Sequence, residues 1–180
     1  MTRLRTIIAG AGGRMGSANI RAVAGHSGLE LVGAVDRTGS SAIGKDAGSL
    51  AGIEALGVPV TDDIAPLLAH ADVIIDFTAP VVSVALAQQA ASHGLVHLIG
   101  TTGCSPAEDD AIAAAARAGA RIVKSGNFSP GMVALTVLVE KAAAALADYD
   151  IEVLEMHHNL KVDAPSGTAL MLGEAAARGR

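Results

Sequence analysis

Short apolar runs alternate with longer stretches of helical spacing through the first two thirds of the chain. The runs at 6–9, 31–35, 73–77, 96–99 and 121–124 are mostly continuous rather than alternating, as strands buried on both faces of a parallel sheet are. Between them, Met15, Ile20 and Val23 space a helix that begins at Arg14. Thr61-Asp62-Asp63 predicts an N-cap with acids in the first turn, opening a helix to about Ala69. Pro80 at a helix start leads into residues 81–92, stopped at Gly94. Ser105-Pro106-Ala107-Glu108 reads as a capping box for a helix to Ala118, stopped at Gly119. Residues 39–58, rich in Gly and Ser, predict a loop with one short helix. Strand–helix alternation of this kind predicts a doubly wound parallel sheet.

The pattern changes after residue 128. Ser129-Pro130 introduces a long helix over 131–147 that is apolar over much of its surface. Residues 150–156 read as a strand with imperfect alternation. An alanine-rich run, 169–177, reads as a final helix. The expected organisation is a dinucleotide-binding domain over 1–128 and part of a second α+β domain, for substrate and oligomerisation, over 129–180. A lone strand needs partners for its N–H and C=O groups, so the sequence is expected to be a fragment of a longer chain.

Composition narrows the class. Hydrophobic residues make up 51% of 180, yet there are one Tyr, two Phe and no Trp, so the core must be aliphatic. A net charge of −5 argues against a nucleic-acid or acidic-membrane surface. Cys104 is alone, which excludes an internal disulfide and suits a reducing cytoplasm. No apolar run reaches the roughly 18 residues of a membrane span. No Cys/His or carboxylate cluster has metal spacing, so no metal is expected. His26, His70, His93 and His97 are scattered and read as surface or strand-edge residues.

Two stretches carry candidate chemistry. Gly10-Ala11-Gly12-Gly13-Arg14-Met15-Gly16 lies between a strand and a helix, and the next strand ends at Asp36-Arg37. This is the order of the Rossmann dinucleotide fingerprint, although the glycines fall as G-x-x-G-x-x-G. Asp36 lies 20 residues past Gly16, where an acid hydrogen-bonds the adenine ribose. The polar stretches 76–78, 100–103 and 125–128 fall at strand ends on the same edge, favouring a cofactor crevice. The second stretch, residues 155–168, holds His157, His158, Lys161 and the turn Ser166-Gly167-Thr168 ahead of a helix. Free N–H groups and the positive helix end suit a carboxylate there, with proton donors beside it.

These residues give a resemblance. Gly10 to Gly16, Asp76-Phe77-Thr78, Gly100-Thr101-Thr102-Gly103, Asn127-Phe128-Ser129 and His157-His158 through Lys161 to Thr168 resemble the 4-hydroxy-tetrahydrodipicolinate reductase family of bacterial lysine and diaminopimelate biosynthesis. The likeness spans the whole chain. It departs at Asn159-Leu160, where relatives usually carry Arg after the paired histidines, and at Val133, commonly Asn. The resemblance implies NADH or NADPH across Gly10, Ala11, Gly12, Gly13, Arg14 and Met15, with Asp36 on the ribose and Arg37 beside the 2′ position. It implies that Gly100, Thr101, Thr102, Ser125, Gly126, Asn127 and Phe128 hold the nicotinamide half. It implies a small cyclic dicarboxylate substrate held by Lys161, His158 and the backbone of Gly167 and Thr168, with His157 as proton donor and Lys161 assisting. A homotetramer is implied for the full-length family chain. The competing readings are a nucleotide-binding or redox-sensing module without turnover, and another small dehydrogenase. Retention of His157 and Lys161 counts against the first, and the His-His…Lys…Ser-Gly-Thr stretch against the second.

Overall fold

The computed structural model describes residues 2–157, 159 and 164–180. Two compact units divide the chain, Met1–Lys124 and Ser125–Arg180.

The first unit is one six-stranded, all-parallel sheet in the order β3-β2-β1-β4-β5-β6. The strands are β1 (Leu4–Ala9), β2 (Leu29–Val35), β3 (Val60–Thr61), β4 (Val73–Asp76), β5 (Val96–Ile99) and β6 (Arg121–Lys124). Helices α1 (Arg14–Ala24), α2 (Ala47–Leu50), α3 (Ala65–Leu68), α4 (Pro80–His93) and α5 (Pro106–Arg117) join them. Adjacent strand residues point to opposite faces. Ile7 and Ile8 of β1 therefore enter different cores. Ile8 packs with Ile20 and Val23 of α1 and with Ala34 and Val60. Ile7 packs with Leu68, Ile74, Leu86 and Leu95. A third cluster joins Ala87 of α4, Ile99 of β5 and Ile112 and Ala115 of α5. Continuous apolar strands are thus explained by helices on both faces. Gly94 ends α4 at φ +65°, a left-handed conformation that glycine adopts without penalty.

Three expectations need correction. Val60–Thr61 is a strand beside β2, not part of a cap. Thr61 Oγ1 accepts from the Asp63 amide and Asp63 Oδ1 from the Ala65 amide, so these side chains build consecutive turns. The helix that follows is only the four residues Ala65–Leu68. His97 is neither at the surface nor at an edge: it lies in β5, between β4 and β6, with 0% exposure. Residues 150–156, expected as a strand from their imperfect alternation, pair with no strand among the described residues. Alternation selects a face, but a strand exists only with a hydrogen-bonding neighbour.

In the second unit, α6 (Pro130–Ala145) packs on α7 (Gly167–Arg178). Among its described residues the buried ones are Ala143, Ser166, Ala175 and Ala176. Close approach depends on Gly179, where a Cβ would fall 2.3 Å from the Glu140 carbonyl oxygen. The Arg178 Nε donates to Glu140 Oε2 at 3.1 Å across the same pair.

Candidate functional site

The order 3-2-1-4-5-6 reverses direction between β1 and β4, and ligands of such sheets bind beyond the strand C-termini at that point. A cleft of about 490 Å³ lies there. Gly10, Gly13, Asp36, Arg37, Phe77 and Thr78 contribute to its wall.

The glycine loop fits a nucleotide by what it lacks. Gly10 has φ +75° and donates its N–H to the Val35 carbonyl. A Cβ on Gly16 would fall 2.0 Å from the Gly10 carbonyl oxygen, so α1 can press onto the loop only with glycine there. A Cβ on Gly12 would fall 2.4 Å from Asp36 Oδ2. Instead the Gly12 amide donates to that oxygen at 2.9 Å. The N-cap of α1 is Gly13, which offers no side-chain cap, so the positive helix end is left for an anion. Asp36 also accepts from the Arg37 amide and the Ser40 hydroxyl. Arg14 and Met15 begin α1 and are exposed.

Beside the cleft lies a buried polar hub centred on Asp76, at the end of β4 and 0% exposed. Its Oδ1 accepts from the Thr78 amide at 3.0 Å and the Thr78 hydroxyl at 2.5 Å. Its Oδ2 accepts from Ser83 Oγ at 2.5 Å and meets His97 Nε2 at 3.2 Å. Ser83 Oγ in turn lies 2.8 Å from Thr101 Oγ1. Burial pushes the Asp76 carboxyl up, but the bonds from His97, Ser83 and Thr78 outweigh it and hold the group below its ordinary value. The hub fixes the loop after β4, the second turn of α4 and the loop after β5. Thr101 is therefore seen as a buried hydroxyl in that hub. Gly100 leaves room for the Phe77 ring, which a Cβ would approach to 2.0 Å.

In the second unit the structure brings together Ser125–Phe128 and the turn before α7. Asn127 Nδ2 donates to Thr168 Oγ1 at 2.9 Å. A Cβ on Gly126 would stand 3.0 Å from the Gly167 carbonyl oxygen. Ser166 is the N-cap of α7, accepting from the Ala169 amide. His157 is described and partly exposed; its Nε2 lies 2.9 Å from Glu155 Oε2. Glu155 also accepts from the Ser166 amide and hydroxyl. Those Ser166 and His157 hydrogen bonds pull its carboxyl down to about 2. His158 and Lys161 lie outside the described residues.

Sequence reasoning missed the roles of Ser83, His97, Ser40 and Glu155. An acid closing the apolar run Val73-Ile74-Ile75 was a visible signal for the hub. For Glu155 the signal was its place two residues before His157. For His97 it was its place inside the apolar run 96–99, and Ser40 carries none.

Comparison with known proteins decides the family. The model of the dihydrodipicolinate reductase N-terminus matches residues 4–128, and that of the C-terminus matches 131–180. The chain belongs to the dihydrodipicolinate reductase family. This family uses NADH or NADPH. The 4-hydroxy-tetrahydrodipicolinate reductase of Brucella abortus (strain 2308) is 58% identical over 176 residues, covering 97% of this chain and 65% of its own. That of Rhizobium rhizogenes (strain K84 / ATCC BAA-868) is 59% identical over 179 residues, covering 98% of this chain and 65% of its own. The chain thus spans about 65% of the length of these curated relatives. Among solved structures, a dipicolinate-bound dihydrodipicolinate reductase from Paenisporosarcina sp. TG-14 superposes with a TM-score of 0.70 at 27% identity, over 99% of this chain and 67% of that one. An amine dehydrogenase from Mycobacterium smegmatis, at 23% identity and TM-score 0.59, covers 83% of this chain and 45% of its own and shares the fold. Among the described residues no helix is long and apolar enough to cross a membrane, and no group of His, Cys, Asp or Glu is arranged to hold a metal.

Proposed function

We propose that the chain is the nucleotide-binding part and a portion of the substrate-binding part of an NADH- or NADPH-dependent 4-hydroxy-tetrahydrodipicolinate reductase. Such an enzyme forms tetrahydrodipicolinate in lysine and diaminopimelate biosynthesis. The observation that carries this reading is the family match over 4–128, which contains the glycine loop, the cleft and Asp36. The domains divide at 1–128 and 129–180, the whole protein is a homotetramer, and its place is the cytoplasm.

In this reading Gly10, Ala11, Gly12, Gly13, Arg14 and Met15 cradle the pyrophosphate, where only glycine allows such close approach. Asp36 accepts from the adenine ribose, with Arg37 alongside. Gly100, Thr101, Thr102, Ser125, Gly126, Asn127 and Phe128 orient the nicotinamide half. When bound, the nicotinamide supplies the hydride. Lys161, His158 and the backbone of Gly167 and Thr168 hold a substrate carboxylate. His157 delivers a proton from its imidazole, and Lys161 favours that donation. Glu155, accepting from His157, fixes the ring.

The test has two arms. Calorimetry measures NADH and NADPH binding to the chain. Nucleotide oxidation is then followed with substrate made freshly from pyruvate and aspartate semialdehyde, with the Brucella abortus relative as control. Binding together with substrate-dependent oxidation supports the reading. Binding with little oxidation, where the control consumes the substrate, is the outcome expected of a chain that holds only a portion of the substrate-binding part, and binding of neither nucleotide counts against the reading. His157→Ala should lower turnover by roughly 10²–10⁴-fold, the worth of a general acid. Turnover within a few-fold of the parent excludes the proton-donor role.

A further inference from the structure

We infer that Ser40 is a positioning residue that sets cofactor choice by holding Asp36 as a fixed acceptor for an unphosphorylated ribose. The inference rests on the reading that the cleft binds NADH or NADPH.

A serine hydroxyl has one proton to give. Ser40 Oγ gives it to Asp36 Oδ2 at 3.0 Å. The same oxygen accepts from the Ala42 amide at 3.2 Å. The donor is therefore committed to the carboxylate, and the loop's own backbone fixes the hydroxyl in that direction. Asp36 is held from three sides: Oδ2 by Ser40 and the Gly12 amide at 2.9 Å, Oδ1 by the Arg37 amide at 2.8 Å. The Gly12 side is tight, since a Cβ there would fall 2.4 Å from Oδ2 and 3.0 Å from the Ala42 Cβ. A carboxylate so clamped faces the cleft without freedom to turn aside.

The two cofactors meet this clamp differently. A ribose diol offers hydroxyl protons to a waiting acceptor. A 2′-phosphate offers acceptor oxygens and roughly −1.5 to −2 charge, which a fixed carboxylate repels. Arg37 draws the phosphate, and Asp36 beside it rejects it. Without the Ser40 hydroxyl, Asp36 loses one of three donors and can rotate away. NADH then loses a pre-aimed acceptor while NADPH meets less repulsion.

The experiment is calorimetric titration of the 180-residue chain with NADH and with NADPH at one ionic strength, for the parent, Ser40→Ala, Ser40→Thr and Ser40→Val. Ser40→Ala should weaken NADH by roughly two- to tenfold, the range of one hydrogen bond. NADPH should stay within about twofold of the parent or tighten, a change too small to mark a lost bond. Ser40→Thr keeps the hydroxyl and should keep the parental ratio of the two dissociation constants. Ser40→Val has the same shape without the hydroxyl and should match Ser40→Ala, which separates the hydroxyl from loop packing. A ratio unchanged in Ser40→Ala and Ser40→Val overturns the inference while leaving the nucleotide site standing. So does NADPH weakening more than NADH, which would make Ser40 a phosphate ligand. A parent chain that binds neither nucleotide overturns the reading of the cleft, and this inference with it.

Discussion

The two units bury their apolar side chains to different degrees. In Met1–Lys124 the large side chains of Ile7, Ile8, Ile20, Ile74 and Ile99 are completely enclosed between sheet and helices. Among the described residues of Ser125–Arg180 the buried apolar ones are alanines, while Leu138 is 62%, Met156 85% and Leu154 89% exposed. The candidate sites inherit the contrast. The cleft of the first unit is shaped by backbone packed on a closed core, and its hub by a carboxylate out of reach of water. The second unit's described site residues are held by local hydrogen bonds, Glu155 to Ser166 and Asn127 to Thr168. Buried groups hold position because leaving it strands unpaired polar atoms; exposed groups can turn to water instead.

Removing the hub should therefore have the largest effect. Asp76→Ala leaves the Thr78, Ser83 and His97 donors without their shared acceptor. Losing one partner of a buried charged network costs about 3–5 kcal/mol. The expected outcome is a lower denaturant midpoint for the first unit and no measurable NADH binding. Glu155→Ala should leave that transition unchanged. Equal shifts from both variants would erase the contrast. The pH dependence follows with its sign. The Asp76 carboxyl is depressed in the folded state, so its contribution is present above the ordinary carboxylate pKa. It is lost as pH falls through the depressed value, so the first unit should weaken in acid.

Next in size is one substitution tried in both units. Gly16→Ala drives a methyl into the Gly10 carbonyl, 2.0 Å away, and backbone cannot step aside. A cost of roughly 1–3 kcal/mol is expected, with weaker NADH binding as the loop shifts. Gly173, inside α7, has nothing within 4 Å of its added Cβ. There Gly→Ala should stabilise by about 0.5–1 kcal/mol through helix propensity. Thermal melting of the two variants reads both signs, and a stabilising Gly16→Ala would mean that α1 does not press on the loop.

The same contrast explains what the sequence disclosed. The apolar run ended by Gly100 located β5 to the residue, because burial leaves few alternatives, and β6 was located as well although it is a largely exposed edge strand. The capping box at Ser105 and Glu108 begins α5 and Gly94 ends α4 for local reasons that are written locally. Val60–Thr61 escaped because two residues carry no period; the neighbour β2 makes them a strand. His97 escaped for a related reason. Its apolar neighbours Val96, Leu98 and Ile99 mark a strand, but its partner Asp76 is 21 residues away on the adjacent strand. Residues 150–156 failed the opposite way, with a strand-like pattern and no pairing partner among the described residues. The glycine loop and Asp36 were legible because a tight turn and an acid at a set spacing are local demands. The hydroxyl of Ser40 was not, since a serine four residues past Asp36 bonds it only when the intervening turn brings the two together.

The smallest expected effect lies at Glu155. Its carboxyl receives the Ser166 hydroxyl, His157 and the Ser166 amide, in that order of influence, and is drawn from 4.5 to about 2. Because the folded value is the lower one, the bonds are present above the ordinary pKa of 4.5 and are lost as pH falls through about 2. Global stability should hardly register this, since the group is open to water, which screens and replaces such bonds. The local consequence is sharper. Above pH 4.5 the ionised carboxylate should hold both the first turn of α7, through Ser166, and the imidazole of His157. A carbon-detected NMR titration of the Glu155 carboxyl should show a midpoint well under 4.5, with the Ser166 amide shift following the same curve. Glu155→Gln should abolish that amide transition while leaving the melting of the first unit in place. A Glu155 midpoint at the ordinary value, with the Ser166 amide indifferent to it, would show that His157 is not oriented by this carboxylate.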